Sequence, residues 1–349
     1  MPTIHNRQQH AAILLSRQPL QPSGNSPWVK QVISAVRWLK KRDYILCSSV
    51  GMQTWELITA VAALEKVPLK IFTFDGHEPC NEAEVAYQFE MDTALFTLAE
   101  LRSGESRSRE EALSQRDERI VMSADILIPI SIKPRGNMSR LMGSSRDKEI
   151  LREFEIEHET REKPLAYRLT DDQLSEEIKA VGDSYITHWT RSYHRPWPDE
   201  RLIDYYRAIL ASDKYPRNAF ETLKRMAAAR MIIASSRHMP RNEPTVSFSD
   251  LPPRELVPLM RWRARYSQMS FEPYGIGIKR ERAPELGILP VHYYDRKIED
   301  CPADVPYWLT QSSGERSDWR QEREYRYRGG FRLDTISPDD LILFCRSMD

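Results

Sequence analysis

The stretch Asp43-Tyr-Ile-Leu-Cys-Ser48, followed by the turn Ser49-Val-Gly51 and later by Leu69-Lys-Ile-Phe-Thr-Phe74, decides the fold of the first part of this chain. Each of the two apolar runs is short and typical of a buried strand, and residues 54–66 between them have the pattern of a helix. A strand, a turn, a helix and a second strand in this order form the unit of a parallel sheet. The sequence therefore predicts an α/β fold that begins with a Rossmann-like domain.

The same pattern continues to about residue 150, because Asp125-Ile-Leu-Ile-Pro-Ile130 is a third buried strand that leads through a loop into another helix. We predict a Rossmann-like domain over residues 1–150 and a mixed, charged connector over residues 151–199. After residue 200, helices and short strands are mixed without regular alternation, which predicts an α+β domain over residues 200–349.

The composition restricts the functional class. Hydrophobic residues make up 40% and charged residues 29% of the chain, which is typical of a globular protein. Lys+Arg and Asp+Glu are both 51, and this zero net charge does not favour a nucleic-acid partner, although a local basic patch could still bind one. The four cysteines lack CxxC spacing and predict reduced thiols. Since the only apolar patch near the start is Ala11–Leu15 and no apolar run reaches about 18 residues, we expect a cytoplasmic protein without a membrane partner.

Two loops follow predicted strands and open predicted helices, and in open α/β sheets ligands bind beyond the carboxyl ends of the strands. A helix N-terminus offers free N–H groups and positive potential to a phosphate, and basic side chains in the second loop add charge. The alternative is that both loops are ordinary strand–helix turns. We predict that the ligand-binding residues of this domain are Ser48, Ser49, Gly51, Lys133, Arg135, Gly136 and Ser139.

The pairing of these two loops resembles the DprA/LOG-like (SLOG) superfamily of Rossmann-like proteins. In that superfamily a nucleotide-binding loop follows the first strand and a Pro-Gly-Gly-type loop follows a later one. Here Ser48 and Ser49 stand in place of the usual glycines, and Arg135 replaces one glycine of the second loop. The resemblance implies a nucleotide-type ligand. It does not imply hydrolysis by this domain, because the fuller PGGxGTxxE pattern is missing.

The segment Trp319-Arg-Gln-Glu322-Arg-Glu324-Tyr325-Arg326 carries the candidate chemistry of the second half. On a strand, Glu322, Glu324 and Arg326 would share one face. Acids and a base together on one face are costly to bury unless they pair or bind something. We therefore predict Glu324 and Glu322 as catalytic residues that stabilise a cation or act as a general base. The alternative is that they pair with neighbouring arginines on a solvated sheet face.

An ordered set of motifs leads up to this segment. It comprises Val246-Ser-Phe-Ser-Asp250, Tyr274-Gly-Ile-Gly-Ile278 and Pro290-Val-His-Tyr293. The order resembles AbiGi-type abortive-infection proteins and related uncharacterised bacterial domains over about residues 200–349. Gly275 and Gly277 would leave one strand face without side chains, so that a ligand or another backbone could approach. We predict that the ligand-binding residues here are Ser247, Asp250, Tyr274, Gly275 and Arg326.

A glycine-lined cleft with a glutamate on a strand is also similar to ADP-ribosyltransferase-like folds, and this analogy implies NAD or another nucleotide as substrate. The first hypothesis is a bacterial phage-defence protein whose first domain binds a nucleotide-type small molecule and whose second acts on NAD or a nucleotide. The alternatives are a non-enzymatic DNA- or nucleotide-binding module and an antitoxin-like scaffold.

The histidines lack metal-ligand spacing, so no metal is predicted. The segment Arg261-Trp-Arg-Ala-Arg265-Tyr266 interleaves bases and aromatics, but helical spacing favours a core role.

Overall fold

The computed structural model of the chain describes residues 8–74, 79–101, 109–159, 173–236, 239–263, 268–295, 302, 304–314 and 318–346. The chain divides into two units. The first consists of residues 1–162 and 194–216, and the second of residues 163–193 and 217–349.

The first unit is built on a six-stranded parallel sheet. Its elements in chain order are β1 (His10–Leu15), α1 (Pro27–Lys40), β2 (Ile45–Ser49), α2 (Gln53–Glu65), β3 (Leu69–Phe74), α3 (Glu82–Phe89), β4 (Phe96–Leu101), α4 (Arg109–Ser123), β5 (Ile126–Ser131), α5 (Asn137–Ser144) and β6 (Glu149–Ile150). The strand order is β4-β3-β2-β1-β5-β6, and all neighbours are parallel. The order reverses at β1, so the switch point lies beyond the carboxyl ends of β1 and β5.

The second unit begins with α6 (Glu176–Val181) and β7 (Tyr185–Trp189), whereas α7 (Leu202–Ala211) belongs to the first unit. The remaining elements are α8 (Ala219–Ala229), β8 (Met231–Ile232), β9 (Thr245–Ser249), α9 (Pro253–Leu256), β10 (Trp262–Arg263), β11 (Gln268–Met269), β12 (Gly275–Lys279), β13 (Leu289–Pro290), β14 (His292–Tyr294), β15 (Thr310–Ser312), β16 (Glu324–Arg328), β17 (Phe331–Arg332) and β18 (Leu341–Phe344). The main sheet has the order β13-β16-β9-β7-β12-β18, and its neighbours are antiparallel.

The prediction of an α/β fold with a parallel sheet followed by a mixed part is confirmed. Sequence periodicity missed β1, which is the apolar patch Ala11–Leu15 and lies buried between two neighbours at the switch point. It also missed β7, which lies inside the connector expected over residues 151–199 and is central in the second sheet.

The division into units differs from the expected boundary at residue 200. Helix α7 packs in the core of the first unit, because Ile203, Tyr205, Tyr206 and Ile209 are buried there. Among the described residues, no helix is both long and apolar enough to cross a membrane.

Candidate functional site

The chain changes conformation inside the Trp319–Arg326 segment. Trp319–Glu322 is a short 3-10 helix whose start is capped by Asp318, and the strand β16 begins only at Glu324. Between them, Arg323 has a φ of 45°, in the left-handed region that residues with a Cβ avoid. The expectation that Glu322 lies on the strand is therefore wrong. Glu324 and Arg326 do share a strand face, opposite Tyr325, which packs against the core of the second unit.

Arg326 holds the carboxylate of Glu324. Its side chain is 1% exposed, and its Nε and one terminal nitrogen donate to the two Glu324 oxygens at 2.9 and 3.0 Å. The other donors reach the carbonyls of Trp308 and Thr310 and the side-chain oxygen of Gln311. All five N–H groups of the guanidinium thus have an acceptor. Since the Ser247 hydroxyl also donates to Glu324 at 2.6 Å, this carboxylate is fixed within the protein.

Glu322 stands in a different environment. Its side chain is 17% exposed and accepts one bond from Arg263 at 2.7 Å, while the Ser249 hydroxyl donates to its backbone carbonyl at 2.7 Å. The pKa of Glu322 is raised to about 7, mainly by burial and also by the charge of the nearby Glu324, while Arg263 lowers it. A carboxyl group that exchanges its proton near neutral pH is suited to general acid–base catalysis. Of the two predicted catalytic residues, the geometry favours Glu322.

Two further side chains, those of Arg263 and Tyr293, lie near Glu322 and Glu324, and neither was predicted as a site residue. The Arg263 guanidinium lies over the Trp319 ring, 4.4 Å from its centroid. Burial, and then the charge of Glu324, raise the pKa of Tyr293. A helix was the expectation around residue 263, but Trp262–Arg263 is a strand paired with Gln268–Met269. Arg265 and Tyr266 of that motif lie outside the described residues.

Asp250 was predicted to bind a ligand, and the structure surrounds it with arginines. Its carboxylate accepts a bond from Arg280 at 2.6 Å and pairs with Arg323 on the other side. Its backbone carbonyl accepts from the same two guanidiniums, at 3.0 and 3.2 Å. Because Asp250 is buried and these bonds occupy it, its visible role is to tie the β9 end to the Arg323 turn.

The glycine strand does not open a ligand cleft. A Cβ on Gly275 would meet Thr187 and Trp189, and one on Gly277 would meet Ile342 and Phe344, all within 3.0 Å. Neighbouring side chains thus fill the space that the glycines leave, which overturns the expectation of an open face. Trp189 and Phe344 belong to a hydrophobic cluster with Leu256 and Met260. Tyr274 packs against the other core, and its ring lies 5.6 Å from that of the exposed Phe220.

In the first unit, the loop after β2 is satisfied internally. Ser48 and Ser49 are fully buried, and their hydroxyls bond Thr59 at 2.8 Å and the Phe72 carbonyl at 2.7 Å. The Gly51 N–H donates to the carboxylate of Glu56 at 3.0 Å. The Glu56 carboxylate therefore accepts the Gly51 N–H that a phosphate was expected to bind.

The loop after β5 is different, because its basic side chains are exposed. Lys133, Arg135 and Arg140 are exposed around the start of α5, and Gly136 provides no side-chain cap there. Arg135 has a φ of 59°, and Ser139 is half-buried in the first turn of α5. Of the two predicted loops, this one keeps helix N–H groups and cations available to an anion.

The comparisons with known proteins add little to this geometry. No family model matches the chain, and no curated protein matches it. A solved structure that is similar in part is that of DNA processing protein A from Helicobacter pylori, described for its single-stranded DNA binding mode. Its sequence identity is 13% and its TM-score 0.31, and the match covers 43% of this chain and 68% of that one. This degree of likeness supports no functional conclusion.

No group of three or more His, Cys, Asp or Glu side chains is placed to hold a metal ion within the described part of the chain. The AbiGi resemblance, and NAD as a substrate, stay predictions.

The raised pKa of Glu322 predicts a pH-dependent stability. Its folded-state pKa of about 7 lies above the ordinary value of 4.5, so the folded chain binds this proton more tightly than the unfolded chain. The resulting stabilisation is present below the ordinary pKa and is lost as the pH rises through 7. At about 1.36 kcal/mol per pKa unit, the difference between 4.5 and about 7 corresponds to a stabilisation on the order of 3 kcal/mol.

Denaturant unfolding of the wild type and of Glu322→Gln at pH 4.5 and 7.5 measures this contribution. The stability of the wild type relative to the variant should be greater at pH 4.5, because glutamine cannot titrate. An equal difference at both pH values would contradict the assignment.

Proposed function

We propose that the second unit cleaves the N-glycosidic bond of NAD or a related nucleotide, with Glu322 as the general base. The observation that carries this proposal is the environment of Glu322, whose proton exchanges near neutral pH beside a second carboxylate that Arg326 holds fixed. Two carboxyl groups in contrasting environments are a recurrent basis for acid–base catalysis at neutral pH. The proposal keeps the ADP-ribosyltransferase-like analogy and transfers the catalytic role from Glu324 to Glu322.

The reaction follows from this assignment. The bond between the ribose anomeric carbon and the nicotinamide nitrogen breaks, and its electron pair neutralises the positive charge of the leaving ring. A water molecule adds its oxygen to the anomeric carbon and gives its proton to the Glu322 carboxylate. If the hydroxyl or amine of an acceptor takes the place of water, the same steps transfer ADP-ribose. In both cases Glu324, bound by Arg326 and Ser247, keeps the segment before and after it in place.

Incubation of the purified full chain with NAD tests this proposal. Nicotinamide release, or ADP-ribose attached to protein, is expected from the wild type, alone or after addition of a phage-infected cell lysate. Glu285→Gln is the matched control, since Glu285 is an exposed residue paired with Arg282. If the wild type leaves NAD and other nucleotides intact under both conditions, the proposal is wrong.

We further propose that the first unit binds a nucleotide-type ligand that controls the second, and that the protein acts in the bacterial cytoplasm as a phage-defence effector. The defence role rests on the AbiGi resemblance of residues 200–349. Phage should form fewer plaques on cells that carry the wild-type gene than on cells that carry the Glu322→Gln variant. Equal plating of phage on the two strains would count against a defence role.

The first unit's ligand is expected to bind at the loop after β5. Replacing Lys133 and Arg140 with alanine and Arg135 with glycine should weaken binding of NAD or ADP-ribose at least about tenfold, because three cations leave the anion site. Glycine tolerates the left-handed backbone of Arg135, so the fold of the loop is retained. Isothermal titration measures the effect, with Lys41→Ala as control, because Lys41 is exposed and follows the carboxyl end of α1, away from the carboxyl ends of the strands.

The same cations give a second candidate function, single-stranded DNA binding. If the protein contacts Z phosphates of an oligodeoxythymidine, the logarithm of the binding constant should fall with the logarithm of the salt concentration with a slope of about −0.7Z. A mononucleotide should show a much smaller slope. A steep slope that the triple variant reduces would favour the DNA-binding module over the nucleotide sensor.

A further inference from the structure

The turn at Arg323 separates the two glutamates of the candidate site. Glu322 ends a 3-10 helix and Glu324 begins a strand, so the backbone of this single residue sets the position of one carboxyl group relative to the other. Arg323 has φ and ψ of 45° and 57°. Residues with a Cβ avoid this region, and they keep such a conformation where the surrounding structure determines it.

The contacts of Arg323 show what determines it. The Arg323 N–H donates to the Arg320 carbonyl at 3.1 Å, and its own carbonyl accepts from the Asp250 N–H at 3.1 Å. The guanidinium pairs with the Asp250 carboxylate and bonds the Asp250 carbonyl at 3.2 Å. Both the backbone and the side chain of Arg323 are thus tied to one buried aspartate.

Asp250 is itself anchored from the other side. Arg280 donates to its carboxylate and its carbonyl, and the Arg280 Nε donates to the Asp183 carbonyl at 2.6 Å. Asp250 directly follows β9, whose Ser247 and Ser249 hold Glu324 and the Glu322 carbonyl. The segment with the two glutamates is therefore held at the end of β9 by three residues, Ser247, Ser249 and Asp250.

We propose that Asp250 and Arg323 are positioning residues, and that the left-handed turn which Asp250 maintains at Arg323 sets Glu322 against Glu324 for the reaction. This inference rests on the proposed function for its catalytic meaning. Neither side chain is assigned a contact with substrate. Burial and the charge of Glu324 both favour the protonated form of Glu322. Opening the turn would move the Glu322 carboxyl group towards solvent and away from Glu324, so that both effects decrease.

Titration of Glu322 by NMR in glutamate-labelled full-length protein tests the positioning without any substrate. The signal is assigned by its loss in Glu322→Gln. The charged groups around this carboxyl are Arg261, Arg263 and Glu324, with Tyr293 nearby, and all remain in the variants below. Arg323→Ala should lower the titration midpoint by about one pKa unit or more, since burial and the neighbouring charge both decrease.

Arg323→Gly separates the turn from the guanidinium. Glycine adopts the left-handed conformation readily. The titration midpoint of Glu322 in Arg323→Gly should therefore fall less than half as far as it does in Arg323→Ala. A wild-type midpoint in Arg323→Ala, or an equal fall in both variants, would overturn the proposal. If Arg323→Ala does not fold, Asp250→Asn replaces it, and an unchanged midpoint in that variant overturns the proposal as well.

Activity gives the second readout. With NAD as substrate, Arg323→Ala should lower kcat at least about tenfold with little change in KM, as expected for a misplaced base. Arg332→Ala, which removes an exposed arginine paired with Asp334, is the control. If the wild type cleaves no NAD, the proposed function fails, while the NMR comparison still decides whether Asp250 and Arg323 position Glu322.

Discussion

Arg326→Met is expected to lower the free energy of unfolding of the second unit by about 3–5 kcal/mol, the range for loss of one partner of a buried ion pair. Methionine fills much of the space of the arginine stem but leaves the Glu324 carboxylate without its two bonds from the guanidinium. It also leaves the carbonyls of Trp308 and Thr310 and the Gln311 oxygen without their donor.

Arg328→Met is the matched control, because Arg328 lies two residues further on the same strand face and its side chain is 61% exposed. Its pair with Glu243 is at the surface, where such pairs contribute about 0–1 kcal/mol. Denaturant unfolding followed by circular dichroism compares the two variants. Equal losses of stability in Arg326→Met and Arg328→Met would contradict the structural role of the Arg326–Glu324 pair.

Glu322→Gln is expected to lower the rate of NAD cleavage by about 10²–10⁴-fold, the usual contribution of a general base. Glutamine keeps the shape of the side chain and can still accept the bond from Arg263, but it cannot take a proton. The wild-type rate should rise with pH through about 7, as Glu322 loses its proton, and the variant should lack this limb.

Glu324→Gln separates the two carboxylates. It removes the charge that faces the buried Arg326, so its loss of activity should be accompanied by a loss of stability. Glu322→Gln should remain folded at pH 7 while it is inactive. If both variants lose activity only in proportion to the unfolded fraction, the two glutamates serve the fold, as the scaffold hypothesis requires.

The sequence was sufficient for the parts of the fold that depend on local pattern. The runs around Leu46 and Ile71 with the helix between them predicted β2, α2 and β3 and hence the parallel sheet. The strand β7 was missed because Tyr185-Ile-Thr-His-Trp189 does not alternate clearly between apolar and polar residues. Its partners β9 and β12 are also far along the chain.

The candidate site shows the same limit. The sequence identified Glu322 and Glu324 as an unusual pair, and their proximity could be expected from their spacing. The left-handed turn at Arg323 could not, because it depends on Asp250, which is distant in sequence. Arg263 also reaches Glu322 from a distant strand. The glycines of β12 predicted an open face because a sequence does not reveal that Ile342 and Phe344 fill the space.

The proposed role of Glu322 as a general base requires that this carboxyl group exchanges its proton near neutral pH in the folded protein. An NMR titration of the Glu322 carboxyl carbon in the wild type, from pH 4 to pH 9, measures it most directly. A midpoint of about 7 is expected. A midpoint near the ordinary glutamate value of 4.5 would contradict the proposed function, because Glu322 would then be an ordinary ionised partner of Arg263.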